Sequence, residues 1–391
     1  MKDKKNILWI IMDFHPFYTG HGIYLQKLYR GLRKKGYSCS VLTLNRTNKE
    51  KHYENIGGIN VIRFNKYGGS KYFLFFCFSV MRYLINKRKY YRIIHMHGFY
   101  DRYGLITFLA KILGKKILFQ MVLLDTDDPI NFIRTYKFGR LRARYFSMID
   151  MCVVISTPLE KKCFDAGLSA ERVIKIFQGF DAELYVPVIS TKERDTLKKE
   201  LLMPDNAKIV LFVGAIIERK GIRTLLRTWS GIQKAVPDAH LFLVGPYVFK
   251  DAMEHNLFAE EMIHYAEEKN LNVSFVGYSE QVHNYMKAAD IFVFPSLKEG
   301  FGNVIIEAMG CGLPCVVNYM DGVALDTVIH GETGYIFYNQ EELQKYVILL
   351  LSDERLRTSI SSKARSRAKN IFGFDVIVNQ YDELYQKILR Y

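Results

Sequence analysis

Residues 7–12, Ile-Leu-Trp-Ile-Ile-Met, form an unbroken apolar run that stops at Asp13. A loop holding Gly20-His21-Gly22 follows, and then a stretch from Ile23 to Lys35 with helical spacing, closed by Gly36. A short, fully apolar run leading into a segment of period near 3.6 is the pattern of a buried strand feeding a helix. Similar runs recur at 40–44, 93–96, 117–124 and 151–155, with intervals long enough for helices between them. Such alternation predicts a parallel, doubly wound sheet.

The pattern begins again further on. Strands are expected at Ile209 to Gly214, His240 to Gly245, Val273 to Gly277, Ile291 to Phe294 and Cys315 to Val317, with a helix from Gly221 to Ala235. Pro187 to Pro204 is charged and lacks a strong period, which suits a linker. The chain therefore reads as α/β with two Rossmann-like, doubly wound domains facing across a cleft. The expected parts are 1–186, a linker at 187–206, a second domain at 207–371, and a terminal stretch 372–391 packing back on the first domain.

Composition narrows the class. With 391 residues, of which 49% are hydrophobic and 24% charged, the chain can bury two sizeable cores. That excludes a disordered tail or a small disulfide scaffold. Its six cysteines form no C-x-x-C pair and no zinc-like cluster with histidine, so they read as reduced thiols. The basic start and the short run at 7–12 meet Asp13 and Pro16 without a cleavage site, and suit a first strand better than a signal peptide. No 20-residue apolar segment is present to span a bilayer.

Charge is unevenly placed. Residues 1–185 hold 32 of the 55 basic and 14 of the 40 acidic residues, a surplus larger than the net +15 of the whole chain. Such a field draws a protein towards an anionic surface. The aromatic run from Tyr72 to Met81, flanked by Lys71 and Arg82, fits either an interfacial helix or a buried helix of the first domain.

The segment from Pro295 to Val317 carries the most chemistry. A strand ends at Phe294, the glycine-broken loop Gly300-Phe301-Gly302 follows, and a helix is expected from about Asn303. Amides and dipole at that helix start suit a phosphate or sugar oxygen. Glu299 and Glu307 are spaced to accept hydrogen bonds from sugar and ribose hydroxyls. Taken alone, the pair would read as a cap and a solvated face residue.

This segment resembles the donor-binding signature of the retaining GT-B glycosyltransferases, the large family four group, and the similarity extends over nearly the whole chain. The resemblance implies that Glu299 lies near the transferred sugar, that Gly300, Phe301, Gly302, Asn303 and Val304 line the donor, and that Glu307 binds its ribose. Val213 to Gly221 is similar to the family's strand and loop for the donor diphosphate, which assigns Gly214 to the donor site and Lys220 to the phosphates, and Arg219 is the neighbour expected to substitute for the arginine missing at Ala215. Ala215 departs from the family, which has arginine there. On the acceptor side the resemblance implies Gly20, His21, Gly22 and His97, taken to follow a strand facing the cleft. The family's further histidine after the next strand is missing from Gln120 to Pro129.

Asp125-Thr126-Asp127 could be a metal-holding D-x-D, but it lies in the half without the diphosphate site, and capping a helix after Pro129 or touching the acceptor fits it better. No metal and no cofactor is therefore expected. The resemblance implies a metal-independent retaining transfer from a nucleotide diphosphate sugar, UDP before GDP, to a glycan or lipid-linked acceptor in envelope polysaccharide or glycolipid synthesis. The expected location is the cytoplasm, including the inner face of the membrane, with no nucleic-acid partner. A nucleotide-sugar 2-epimerase of the same fold, or an inactive glycan-binding partner, are the alternatives.

Overall fold

The apolar runs become the strands of two sheets. The computed structural model describes residues 5–17, 20–67, 72–98, 103–123, 129–135, 144–249 and 252–390. Contacts divide the chain into two units, Met1–Gly179 with Phe374–Tyr391, and Phe180–Gly373.

The first unit holds an eight-stranded sheet of β1 (Lys5–Ile10), β2 (Tyr37–Asn45), β3 (Tyr53–Ile56), β4 (Ile59–Asn65), β5 (Ile93–His97), β6 (Lys116–Met121), β7 (Met151–Val154) and β8 (Val173–Lys175). Their order is β3-β4-β2-β1-β5-β6-β7-β8, parallel throughout except for the β3–β4 hairpin. Helices α1 (Gly20–Lys34), α2 (Tyr72–Asn86), α3 (Tyr103–Ile112), α4 (Pro129–Thr135) and α5 (Thr157–Asp165) connect them. α1 begins at Gly20, so Gly20-His21-Gly22 is the first turn of a helix and not the loop expected from its glycines.

In the second unit the sheet contains β9 (Lys208–Val213), β10 (Ala239–Val244), β11 (Val273–Gly277), β12 (Ile291–Phe294), β13 (Cys315–Asn318) and β14 (Gly334–Phe337). The order β11-β10-β9-β12-β13-β14 is all parallel, and it reverses direction between β9 and β12. Ligands of such sheets bind beyond the carboxyl ends of the strands at that reversal. β9 and β12 are buried on both faces, as their continuous apolar sequences require.

Around this sheet lie α6 (Thr191–Glu200), α7 (Ile222–Ala235), α8 (Met253–Glu268), α9 (Val282–Ala288), α10 (Asn303–Gly310), α11 (Val323–Thr327), α12 (Gln340–Ser352) and α13 (Glu354–Arg367). α6 occupies the region expected to be a linker. It has little apolar surface, and is fixed by polar groups: Ser190 Oγ accepts from the Glu193 amide at 3.2 Å, and Arg194 pairs with Asp290 at 2.8 Å.

The last helix, α14 (Phe374–Arg390), belongs to the first unit. Its Ile377, Tyr381, Leu384, Tyr385 and Ile388 recur at helical spacing and join Trp9, Leu25, Leu28 and Val41 in one buried cluster.

Candidate functional site

β9 and β12 end side by side at the sheet reversal, and the segments leaving them interlock. After β9 the chain makes a short 3₁₀ turn, Glu218–Lys220, and Gly221 then opens α7 with φ +71°. A Cβ on Gly221 would stand 2.0 Å from the carbonyl oxygen of Pro295, so only glycine permits this approach. The Leu297 amide donates to the Arg219 carbonyl at 2.9 Å, which ties the second loop to the first.

This crossing sets the charged groups. Lys220 Nζ lies 2.5 Å from Glu299 Oε1, Ser296 Oγ donates to the same oxygen at 2.7 Å, and Arg219 reaches it at 3.3 Å. The side chains of Lys220 and Glu299 are each 14% exposed, whereas Arg219 is 48% exposed and also donates to the Lys298 carbonyl. Ser296 is fully buried, and its carbonyl accepts from Asn318 Nδ2 at 3.0 Å. Ser296 was not among the residues expected from sequence; its place two residues beyond β12 is the signal that could have marked it.

Gly302 caps α10 in the left-handed conformation, φ +80°, which turns the chain into the helix. Asn303 Oδ1 is buried with no hydrogen-bond partner among the described residues. Phe301, expected at the donor, is 4% exposed with its ring edge-on to Phe372, so its side chain belongs to the core. Gly300 and Val304 are half-buried beside it. Glu307 lies further along α10 near Tyr185 and Cys311; burial, with Glu307 close by, pushes the Cys311 thiol up to about 12 and raises the Tyr185 phenol.

The first sheet reverses between β1 and β5, and there His21 and His97 meet, with Nε2 and Nδ1 3.1 Å apart. His97 is the last residue of β5 and only 1% exposed, so it does not stand after the strand as expected but points into the layer under α1. The same face carries His95, whose Nδ1 lies 2.9 Å from the Tyr385 hydroxyl, and Gln120, whose Oε1 accepts from Tyr381 at 3.0 Å. Burial lowers His21 to about 4 and His95 to about 3, and holds His97 well below the usual range, so all three rings are neutral at pH 7. His21 is half-buried as a residue, while its Nδ1 is out of contact with solvent. Asp125 lies outside the described residues. Among the described residues no group of three or more His, Cys, Asp or Glu is placed to hold a metal ion.

Two family models cover most of the chain: "Glycosyl transferases group 1" matches residues 193–367, and "Glycosyl transferase 4-like domain" matches residues 19–176. The chain belongs to the glycosyl transferases group 1 family. Within that match lie Lys220, Glu299 and Gly302, which stand at the reversal of the second sheet, and Glu307 further along α10.

Curated relatives of this group 1 glycosyltransferase include the N-acetyl-alpha-D-glucosaminyl L-malate synthase of Bacillus anthracis, 25% identical over 78% of this chain and 77% of that protein. Another is the capsular polysaccharide biosynthesis glycosyltransferase CapM of Staphylococcus aureus, 27% identical over 61% of this chain and 62% of CapM. The crystal structure of HepE from Anabaena, in complex with UDP and glucose, aligns with a TM-score of 0.76 over 98% of this chain and 100% of that one, at 20% identity. At that identity the likeness establishes the shared fold, GT-B.

Proposed function

We propose that this group 1 glycosyltransferase moves a sugar from a nucleotide diphosphate donor, UDP before GDP, to a glycan or lipid-linked acceptor in envelope polysaccharide or glycolipid synthesis, with retention and without a metal ion. The observation that carries the reading is the meeting of Lys220, Arg219 and Glu299 beyond β9 and β12, beside the amides that open α10. Cations and helix amides at one point suit a departing diphosphate, and a carboxylate there suits a sugar hydroxyl. HepE, which has this fold, was crystallised with UDP and glucose.

In the proposed step the bond between the sugar C1 and the phosphate oxygen breaks and the electron pair leaves with the nucleotide diphosphate. Lys220 and Arg219 offset the charge on that group, which frees Glu299 for a sugar hydroxyl. The acceptor oxygen bonds to C1 on the same face, and its proton passes to the leaving phosphate oxygen. His21 and His97, neutral and held together, would orient the acceptor through the helix turn that carries His21.

Attachment to the inner face of a membrane forms part of the proposal. Phe75 and Phe78 on α2 and Leu105, Phe108 and Ile112 on α3 are exposed large apolar residues, and Arg82, Arg88 and Lys89 lie on or just after α2. Among the described residues no helix is long and apolar enough to cross a bilayer.

Thermal shift with UDP-, GDP- and ADP-sugars, with and without magnesium, on the wild type and Glu307→Ala tests the donor reading. Stabilisation by UDP-sugars that ignores magnesium and is lost in the variant supports it. Absence of any shift overturns it in favour of a glycan-binding partner, which Ala215 would suit. The anomeric configuration of the product, read by NMR, decides retention.

A further inference from the structure

The first unit carries a cavity of about 560 Å³ whose lining includes none of the residues assigned to the donor or the acceptor. Its floor is one face of the sheet, where Asn6 of β1 pairs with Ser38 of β2, and Leu8 pairs with Ser40, which in turn pairs with Asn60 of β4. Central strands of a parallel sheet covered by helices ordinarily present large apolar side chains. The next row of the same face obeys this: Ile10, Leu42 and Ile62 are at most 5% exposed. Short polar residues replace them where α2 ends, and the space they leave is the cavity.

Its walls are aromatic. Tyr83 comes from the last turns of α2, Tyr90 from the turn beyond, and Tyr53 from β3; Tyr53 and Tyr90 are 59% and 65% exposed. Among the described residues, the side chains of Asn6 and Ser38 make no hydrogen bond, and so keep donors and an acceptor for a ligand. Tyr53 donates to Asn60 Oδ1 at 3.0 Å, which fixes that ring against the floor.

We propose that this cavity binds a neutral saccharide. A sugar ring has an apolar face of C–H groups and a rim of hydroxyls, and the cavity answers each with tyrosine rings and with amide and hydroxyl groups. Among the described residues the lining contains no carboxylate and one lysine, Lys87, whose Nζ sits 5.2 Å from the Tyr90 ring centroid. It lies at the carbonyl end of α2, where no helix amides are offered, and this disfavours a phosphate or nucleotide. The floor residues are near the amino ends of their strands, whereas His97 ends β5 at the opposite edge of the sheet, with His21 beside it. A glycan held here is therefore bound away from His21 and His97, and the inference does not depend on the donor chemistry proposed above.

Isothermal titration and saturation-transfer NMR of the full chain with maltohexaose, cellohexaose and mannohexaose test it, each with and without saturating UDP. At least one hexaose is expected to bind, with affinity unchanged by UDP, weakened at least tenfold in Tyr90→Ala and lost in Ser38→Tyr, which fills the floor. Circular dichroism and melting checks accompany both variants; Tyr90 is exposed, so that variant carries the test if Ser38→Tyr fails to fold. The proposal is overturned if no hexaose binds, if binding survives in Tyr90→Ala, or if inorganic phosphate or UDP displaces the sugar.

Discussion

Lys220 and Glu299 stand 79 residues apart in sequence and 2.5 Å apart in space, each mostly buried and each carried on a segment that has just left a strand at the sheet reversal. Removing the lysine leaves Glu299 with Ser296 and Arg219 and takes away the charge that the proposed mechanism sets against the leaving group. Lys220→Ala should lower the transfer rate about 100-fold, on the scale of other lost electrostatic stabilisers, with a smaller change in donor binding. Steady-state kinetics separating kcat from KM check this, and a variant retaining full kcat would refute the role.

Glu307 shares its surroundings with Tyr185. If it accepts from the donor ribose, Glu307→Ala should weaken nucleotide-sugar binding roughly 10-fold or more, as for a lost hydrogen bond to a charged group. Tyr185→Phe should weaken it less, because only the orientation of the carboxylate is relaxed. Titration calorimetry with the nucleotide sugar gives both values, and equal affinities across the three proteins would remove Glu307 from the site.

Gly221 has a left-handed backbone and no room for a side chain, whereas Gly331, with φ +77°, has open space around its Cβ position. Gly331→Ala should cost about 1 kcal/mol from the backbone alone. Gly221→Ala adds the collision with Pro295 and should cost at least about 2 kcal/mol more, together with donor binding. Urea unfolding of the two variants measures the difference.

His95 is fully buried beside Tyr385, and burial lowers it to about 3 against an ordinary 6.5. The unfolded chain therefore binds a proton that the folded chain refuses as the pH falls below 6.5. Stability from this residue is complete above that value and declines by about 1.4 kcal/mol per pH unit until the folded value is reached. His95→Gln should flatten the slope of unfolding free energy between pH 6.5 and 4 by that amount; an unaltered slope would mean that another group is responsible.

Membrane attachment predicts that the wild type floats with anionic phosphatidylserine vesicles at low salt. Phe78→Ser with Phe108→Ser should abolish flotation and leave the melting temperature unchanged, since both rings are exposed. A wild type that stays in the soluble fraction at low salt would end this part of the proposal.

Much of this arrangement was readable in one dimension because burial imposes local pattern. β9, β12 and the start of α10 are continuous apolar runs broken by glycine, and their expected limits differ from the observed ones by a residue at most. Other parts left weaker signals. β3, Tyr-Glu-Asn-Ile, is an edge strand with polar residues at its centre and, among the described residues, pairs only with β4, so no apolar run announces it. α6 is charged almost throughout and is held by a capping serine and Arg194, which periodicity does not register. Gly20 and Gly22 suggested a loop because glycine disfavours helix interiors, yet α1 begins with them. The contact between His95 and Tyr385 spans 290 residues, and nothing local to either residue foretells it.

The order of synthesis gives the placement of α14 a further meaning. Residues 180–373 are contiguous, so the second unit can close as soon as they have left the ribosome. The first unit, although started earlier, lacks Tyr381, Leu384 and Tyr385 over Trp9 and His95 until residues 374–390 arrive. At about 5–20 residues per second, its open apolar face waits on the order of ten seconds or more while the second unit is made. The half of the molecule translated first is thus completed last, and that interval is when a chaperone would have most to cover.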